Sequence, residues 1–202
     1  MINKKEIIQQ TTLAFDFIQK LYLEVSYLMK EIEGLLAEDV EDFIIGRGSG
    51  YSITTKSSSG LESSYVNLWL MRTFSVFFVP QDMTERKAGT TITAINPELK
   101  TILVKVVLDE DKIAEPYILV GTIFDIHNKS EKYARNAKFE TLLPHVEARW
   151  NKLFSKDESF DYEDGYYKFK CKLFRVNLFD VNTSEEILRL IVNPALELYR
   201  SL

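Results

Sequence analysis

Apolar residues recur at alternating intervals of three and four near the start of the chain. No proline interrupts residues 5–37, and the first glycine of the chain is Gly34. Written as heptads, the two core rows are Ile18, Val25, Ile32 and Ala14, Leu21, Leu28, Leu35. A neighbouring row is apolar as well and consists of Phe15, Tyr22, Met29 and Leu36. This pattern predicts one amphipathic helix with β-branched residues at a and leucine at d, a choice that favours two-stranded coiled coils.

The length of this helix limits what can cover it. At 1.5 Å per residue it is roughly 45–50 Å long, and a compact domain of this chain's size is roughly 43 Å across. The helix therefore spans or overhangs its own domain. It can lie on its own sheet, on a second copy of the chain, or on both through different rows. For the second copy, the predicted dimer interface is Ile18, Leu21, Val25, Leu28, Ile32 and Leu35.

Acidic residues cluster where this helix should end. Glu38, Asp39, Glu41 and Asp42 follow one another closely, and carboxylates at a helix C-terminus are opposed by the helix dipole. Either the helix ends near Gly34 or a basic group neutralises the cluster.

The rest of the chain predicts an α+β fold as a single domain over 1–202, with the helix in 1–38 and a body in 43–202. We expect a mainly antiparallel sheet of about five to seven strands, with helices packed on one face. Strands are predicted within 66–79, 99–108, 116–126, 160–162 and 166–178, and helices within 130–154, 185–192 and 193–202.

Four local features refine this prediction. Gly121 within a strand indicates a bulge or close packing. The apolar phase changes at Phe174, which predicts a β-bulge near Leu173. Thr183 with Glu186 predicts a capping box, and Asn193-Pro194 predicts the start of a further helix.

The composition indicates a folded globular protein in the cytoplasm. The chain is 46% hydrophobic and 27% charged with a net charge of −5, so as a whole it is not built to neutralise phosphate. Its single cysteine, Cys171, excludes an intramolecular disulfide and a cysteine-based zinc cage. No secretory leader and no membrane-spanning run is recognisable.

Two sets of residues are candidates for metal chemistry. Asp125 and His127 are two residues apart at a strand end, so their side chains should project to the same face. Asp82, followed on the next strand by Glu98 and Lys100, resembles metal-dependent nucleases of the restriction-endonuclease type in this pattern alone. The resemblance implies Mg²⁺ held by two carboxylates and an attacking water steadied by the lysine.

A row of lysines is the candidate binding surface. Lys168, Lys170 and Lys172 alternate along one strand, and Arg175 joins them if the bulge near Leu173 is present. Such a row can bind nucleic acid or an acidic partner. It can equally be a solvent-facing strand whose lysines discourage edge pairing.

The sequence favours a non-catalytic interaction or regulatory module that forms a homodimer through its N-terminal helix and has no cofactor. Two alternatives remain open. One is a nuclease or hydrolase that uses Mg²⁺ with Glu98, Lys100 and an acid such as Asp82 or Asp125. The other is a module that binds nucleic acid or an acidic protein partner through the lysine row.

Overall fold

The computed structural model describes residues 3–46, 51–54, 72–87, 90–93, 95, 97–108, 115–129 and 159–202. One helix, α1 (Lys4–Ala37), precedes the strands and confirms the prediction from periodicity. Asn3 caps it, since its Oδ1 accepts the backbone N–H of Lys5 at 3.1 Å. The helix predicted within 130–154 and part of the strand predicted within 66–79 lie outside the described residues.

An antiparallel sheet forms the centre of the described structure and confirms the predicted α+β class. Its strands run in the order β1-β3-β6-β7-β9-β8, with β2 pairing alongside β1 on β3, while β4 and β5 form a separate ribbon. The strands are β1 (Phe43–Ile45), β2 (Tyr51–Thr54), β3 (Thr73–Pro80), β4 (Thr84–Lys87), β5 (Thr90–Thr93), β6 (Thr101–Val107), β7 (Tyr117–Asn128), β8 (Ser159–Glu163) and β9 (Tyr167–Asn177).

Both faces of the central strands are buried. On β6, Ile102 and Val104 belong to one apolar cluster, whereas Leu103 belongs to a cluster on the opposite face. Thr101 and Lys105 lie on the face opposite Ile102 and Val104, and both are buried there, with Lys105 only 3% exposed. A central strand covered on both sides buries its polar positions together with its apolar ones.

The helices among the described residues share one face of the sheet, as predicted. Four residues of α1 and the apolar side of the C-terminal helical segment pack in one cluster with alternate side chains of β3, β6 and β7. The α1 residues buried there are Val25, Met29, Ile32 and Leu36.

Strand β9 pairs with β7 without a bulge at the predicted position. Gly121 lies opposite Leu173 and Val120 opposite Phe174, so the register is continuous there. The predicted bulge near Leu173 is therefore wrong. The apolar phase changes because Phe174 and Val176 pack into the helix-side cluster. The register shift lies instead in β7, between Phe124 and His127.

The C-terminal helix is continuous through its proline. It comprises α2 (Ser184–Ile187), a π-helical turn (Leu188–Val192) and α3 (Asn193–Arg200). A further α-helix starts at Asn193 with Pro194 in its first turn, as predicted, although Asn193 itself has helical angles of φ −59° and ψ −49° and does not interrupt the preceding turn. Proline cannot donate to the carbonyl four residues before it, and the wider π turn accommodates that missing bond.

The predicted cap of α2 is present in part. Thr183 Oγ1 accepts the N–H of Glu186 at 3.2 Å. Glu186 Oε2 accepts the N–H of Asn182 at 2.8 Å, one residue before the position that a capping box would use.

Replacing Gly121 with alanine should destabilise the fold. An added Cβ would lie 2.1 Å from the backbone oxygen of Lys172, so β7 and β9 would have to separate. We expect the free energy of unfolding to fall by about 1–3 kcal/mol or more, measured by urea titration. Gly34→Ala is the control, because its Cβ would meet nothing within 4 Å. It should raise the free energy of unfolding by about 0.5–1 kcal/mol. A stable Gly121→Ala variant would contradict the close packing.

Candidate functional site

Helix α1 is buried along only part of its length. Val25 is the first fully buried residue, 3% exposed, and every residue from 3 to 17 is exposed. The segment 4–24, which we call the projecting half, is about 30 Å long. The sequence-based prediction that the helix overhangs its domain agrees with this arrangement.

The projecting half is rich in exposed apolar side chains. Those at least 49% exposed are Ile7, Ile8, Leu13, Phe15 and Phe17, the last at 68%. Ile7 belongs to the d row and Phe15 to the row of Met29, whereas Leu13 and Phe17 lie on other sides of the helix. Single exposed apolar residues are common on protein surfaces, so only those in line with the buried rows extend the buried stripe. The stripe buried at Val25 continues here through Ala14 and Ile18.

The predicted dimer residues divide between two environments. Val25 and Ile32 are buried in the chain's own core, together with Met29 and Leu36 of the neighbouring row. The d-row residues Leu21, Leu28 and Leu35 are half-buried, as is Ile18. The body therefore covers the a and e rows beyond residue 24 and leaves part of the d row accessible.

A groove lies beside this partly exposed d row. On the α1 side Leu21 and Leu28 line it, with Glu24 and Glu31 at its rim. On the other side it is lined by the segment before and at the start of α2, and Phe179 there is 61% exposed. The volume is about 460 Å³. We call this space the α1 groove.

Arg200 neutralises the acidic cluster at the end of α1. Its Nη2 lies 2.5 Å from Asp39 Oδ1 and 2.7 Å from Glu41 Oε2, and its Nε donates to Glu41 Oε1 at 3.1 Å. These bonds lower the pKa of Glu41 to about 2. Helix α1 thus continues past Gly34, and a base supplied by the C-terminal helix meets the carboxylates. The sequence offered a neutralising base as one of two alternatives and did not identify Arg200.

Tyr199 adds a second contact at this junction. Its ring meets Phe43 edge to face at 5.0 Å, and Lys100 Nζ lies 4.4 Å above it. Lys100 also donates to the Tyr199 backbone oxygen at 3.0 Å. Burial, followed by the nearby charges of Glu41 and Asp82, raises the pKa of Tyr199 to about 12.

The residues of the nuclease pattern lie on different local elements, although Asp82 and Lys100 are both near Tyr199. Lys100 is engaged by Tyr199, as above, while Asp82 sits in a short 3₁₀ turn and Glu98 in an exposed turn. Across the described ranges, no three His, Cys, Asp or Glu side chains are grouped so as to hold a metal ion. The assignment of Asp82, Glu98 and Lys100 to metal chemistry remains a prediction without support from these positions.

Asp125 and His127 do meet, as their spacing predicted. His127 Nε2 lies 2.7 Å from Asp125 Oδ1, at the register shift of β7, where Asp125 has a positive φ of 53°. The Lys170 ammonium occupies the other carboxylate oxygen at 2.9 Å and, with His127, lowers the pKa of Asp125. A lysine cation at this distance takes the place that a metal ion would need.

The lysine row is flanked by acids on both sides. On β8, Asp161 lies opposite Lys170 and Glu163 opposite Lys168, and Asp125 approaches Lys170 from β7. Lys129 pairs with Glu163. This surface therefore carries alternating charges, and its positive potential is reduced.

Arg175 is separated from the lysine row. Without a bulge near Leu173, it shares the opposite face of β9 with Phe169 and Cys171, and its guanidinium lies 4.7 Å from the Tyr117 ring centroid. Its predicted membership of one binding surface with Lys168, Lys170 and Lys172 is wrong.

No protein-family model matches the chain, and comparisons with curated proteins and with solved structures find no match. Among the described helices, none is both long and apolar enough to cross a membrane. The geometry of α1 therefore carries the functional argument.

Acid should remove the contribution of Arg200 to stability. The pKa of Glu41 is lowered in the folded state. The ionised Glu41 therefore contributes fully to the free energy of unfolding above its ordinary pKa near 4.5, and this contribution is lost as pH falls toward about 2. Arg200→Gln should lower the free energy of unfolding modestly near neutral pH, as expected for an exposed ion-pair network. The difference from wild type should shrink steadily below pH about 4.5. Denaturant titrations at a series of pH values measure this difference.

Arg189→Gln, an exposed arginine of the same helix, is the control for that measurement. Its difference from wild type should not follow the titration of Glu41. An Arg200→Gln effect that is independent of pH would contradict the ion-pair explanation.

Proposed function

We propose that the protein is a non-catalytic interaction or regulatory module that self-associates through α1. The observation that carries the proposal is the projecting half, where the apolar stripe of the buried half continues into solvent through Ile18, Ala14 and Ile7. A single chain leaves this stripe uncovered within its described residues. A second copy offers the same stripe, and isologous contacts are the commonest route to closed oligomers.

A cytoplasmic location belongs to the same proposal. The single cysteine, Cys171, is a buried free thiol. Reduced, buried cysteine is usual for proteins of a reducing compartment.

The alternative functions receive less support from the described side chains. Metal-dependent cleavage needs carboxylates that converge, and Asp82 and Glu98 contribute to no such cluster in the described ranges. Binding to nucleic acid needs uncompensated cations, whereas Lys168 and Lys170 face acids on β8. No specific observation favours either function over self-association.

Two residues of equal exposure provide a matched test of self-association. Ile7 is 49% and Leu23 47% exposed, yet they lie about 160° apart around the helix. Ile7→Glu places a charge in the stripe and should weaken the dimer at least roughly tenfold, because burying an unpaired charge is costly. Leu23→Glu should leave the dissociation constant unchanged. Sedimentation equilibrium over a range of protein concentrations measures both.

Both variants should remain folded, since substitutions at exposed positions usually change stability by less than about 0.5 kcal/mol. Thermal melts verify this. A wild-type chain that stays monomeric at all concentrations would refute self-association. Equal weakening by both substitutions would place the interface elsewhere on α1.

A further inference from the structure

We propose that the α1 groove is occupied by the N-terminal end of α1 from a second copy of the chain, with the two helices antiparallel. This inference rests on the proposed self-association and adds the direction of the partner helix and the site where it binds. Its elements are the d row of α1, the charges at the two ends of the helix, and Phe179 on the far wall of the groove.

The groove and the projecting half form one continuous surface. Leu21 and Leu28 line the groove, and the same heptad row continues toward the N-terminus through Ala14 and Ile7. The body occupies the a and e rows at Val25 and Met29. A partner helix can therefore follow the d row along the projecting half and into the groove without displacing the contact between α1 and its sheet.

The distribution of charge along α1 selects the antiparallel direction. Residues 4–20 carry three lysines and two acids, a net charge of +1, whereas residues 21–37 carry one lysine and three acids, a net charge of −2. Antiparallel helices place the positive end of each beside the negative end of the other. A parallel pair would place like ends together, which is unfavourable.

The heptads limit the antiparallel register to steps of seven residues, and we choose the step that places Lys4 at the α1 groove. In an antiparallel seam, a residues of one helix meet d residues of the other. If Thr11 of one helix lies level with Leu21 of the other, then Ala14 lies level with Ile18. Lys4 then lies level with Leu28. Lys4 of one copy then lies between Glu24 and Glu31 of the other, each within about 6 Å along the helix axis. These two glutamates form the rim of the groove.

The area needed by a stable dimer explains why the groove takes part. A helix cylinder about 30 Å long and 10 Å wide has an outer surface of roughly 1,000 Å², of which a single neighbour covers no more than half. Specific dimers bury roughly 800 Å² per partner. The apolar wall beyond the helix, formed by Leu178, Phe179 and Val181, supplies additional area.

Disulfide trapping tests the direction, and the native cysteine does not interfere. Burial raises the pKa of the Cys171 thiol well above its usual value, so it reacts poorly. Thr11→Cys and Leu21→Cys variants are oxidised separately and as a mixture. The antiparallel register predicts a disulfide-linked dimer, identified by mass spectrometry, in the mixture only.

The outcomes of that experiment separate the two proposals. A cross-link formed by Leu21→Cys alone indicates a parallel pair and overturns the inference. No cross-link in the mixture, when sedimentation shows a dimer, also overturns the inference but leaves self-association intact. A monomer in sedimentation refutes both.

Substitution of Phe179 tests whether the partner helix binds in the α1 groove, independently of the direction of that helix. It is 61% exposed and lies outside α1, so Phe179→Ser should fold normally but raise the dissociation constant of the dimer at least roughly tenfold. Tyr166→Ser, at an aromatic residue 43% exposed in the β8–β9 turn, is the control and should have no effect. If Phe179→Ser leaves the dissociation constant unchanged while Ile7→Glu still weakens the dimer, the partner helix does not bind in the α1 groove.

Discussion

The structure depends on the difference in length between α1 and the surface that covers it. The described body buries α1 from Val25 to Leu36, and the remaining turns extend beyond it. An isolated helix of about twenty residues is marginal in water because its first turn is costly to nucleate. Here the buried half provides the nucleus, so the projecting half can propagate as a helix before any partner is present. The cost of this arrangement is an apolar surface held in solvent.

The contacts between the end of α1 and the C-terminal helix fix the direction in which the projecting half extends. Arg200 bridges Asp39 and Glu41, while the adjacent Tyr199 packs on Phe43 and receives Lys100. The tip of α1 lies about 50 Å from this junction, so a rotation of about 10° there would move the tip by about 9 Å. Charge-assisted bonds have strict geometry, so they restrict such rotation better than apolar packing alone.

Charge on the sheet illustrates how strand pairing changes the meaning of a sequence pattern. Alternating lysines on β9 resemble a basic surface when the strand is considered alone. Pairing with β8 brings Asp161 and Glu163 beside them, and the irregular turn of β7 brings Asp125. Opposite charges on neighbouring strands stabilise pairing modestly and reduce the potential available to an external phosphate. Lys168 and Lys170 therefore lie beside acidic residues of the same sheet.

The sequence by itself determined the elements whose cause is local. Periodicity over seven residues specified α1, alternation specified β6 and β9, and an apolar run specified β7. The threonine cap at Thr183 specified the start of α2. It also indicated a bulge or close packing at Gly121, of which the structure shows the close packing. These features follow from contacts between residues near in sequence, or from the conformational limits of one residue.

Tertiary structure alone decided the features that join distant parts of the chain. Arg200 meets Asp39 across 161 positions, and no local pattern distinguishes it from the other bases. The burial of Lys105 and the half-burial of Phe174 depend on what covers each face of the sheet. The division of α1 into covered a and e rows and an accessible d row depends on how the helix is rotated against β1 and the C-terminal helix. Heptad spacing specifies that a stripe is apolar, but only packing specifies which part of it remains for a partner.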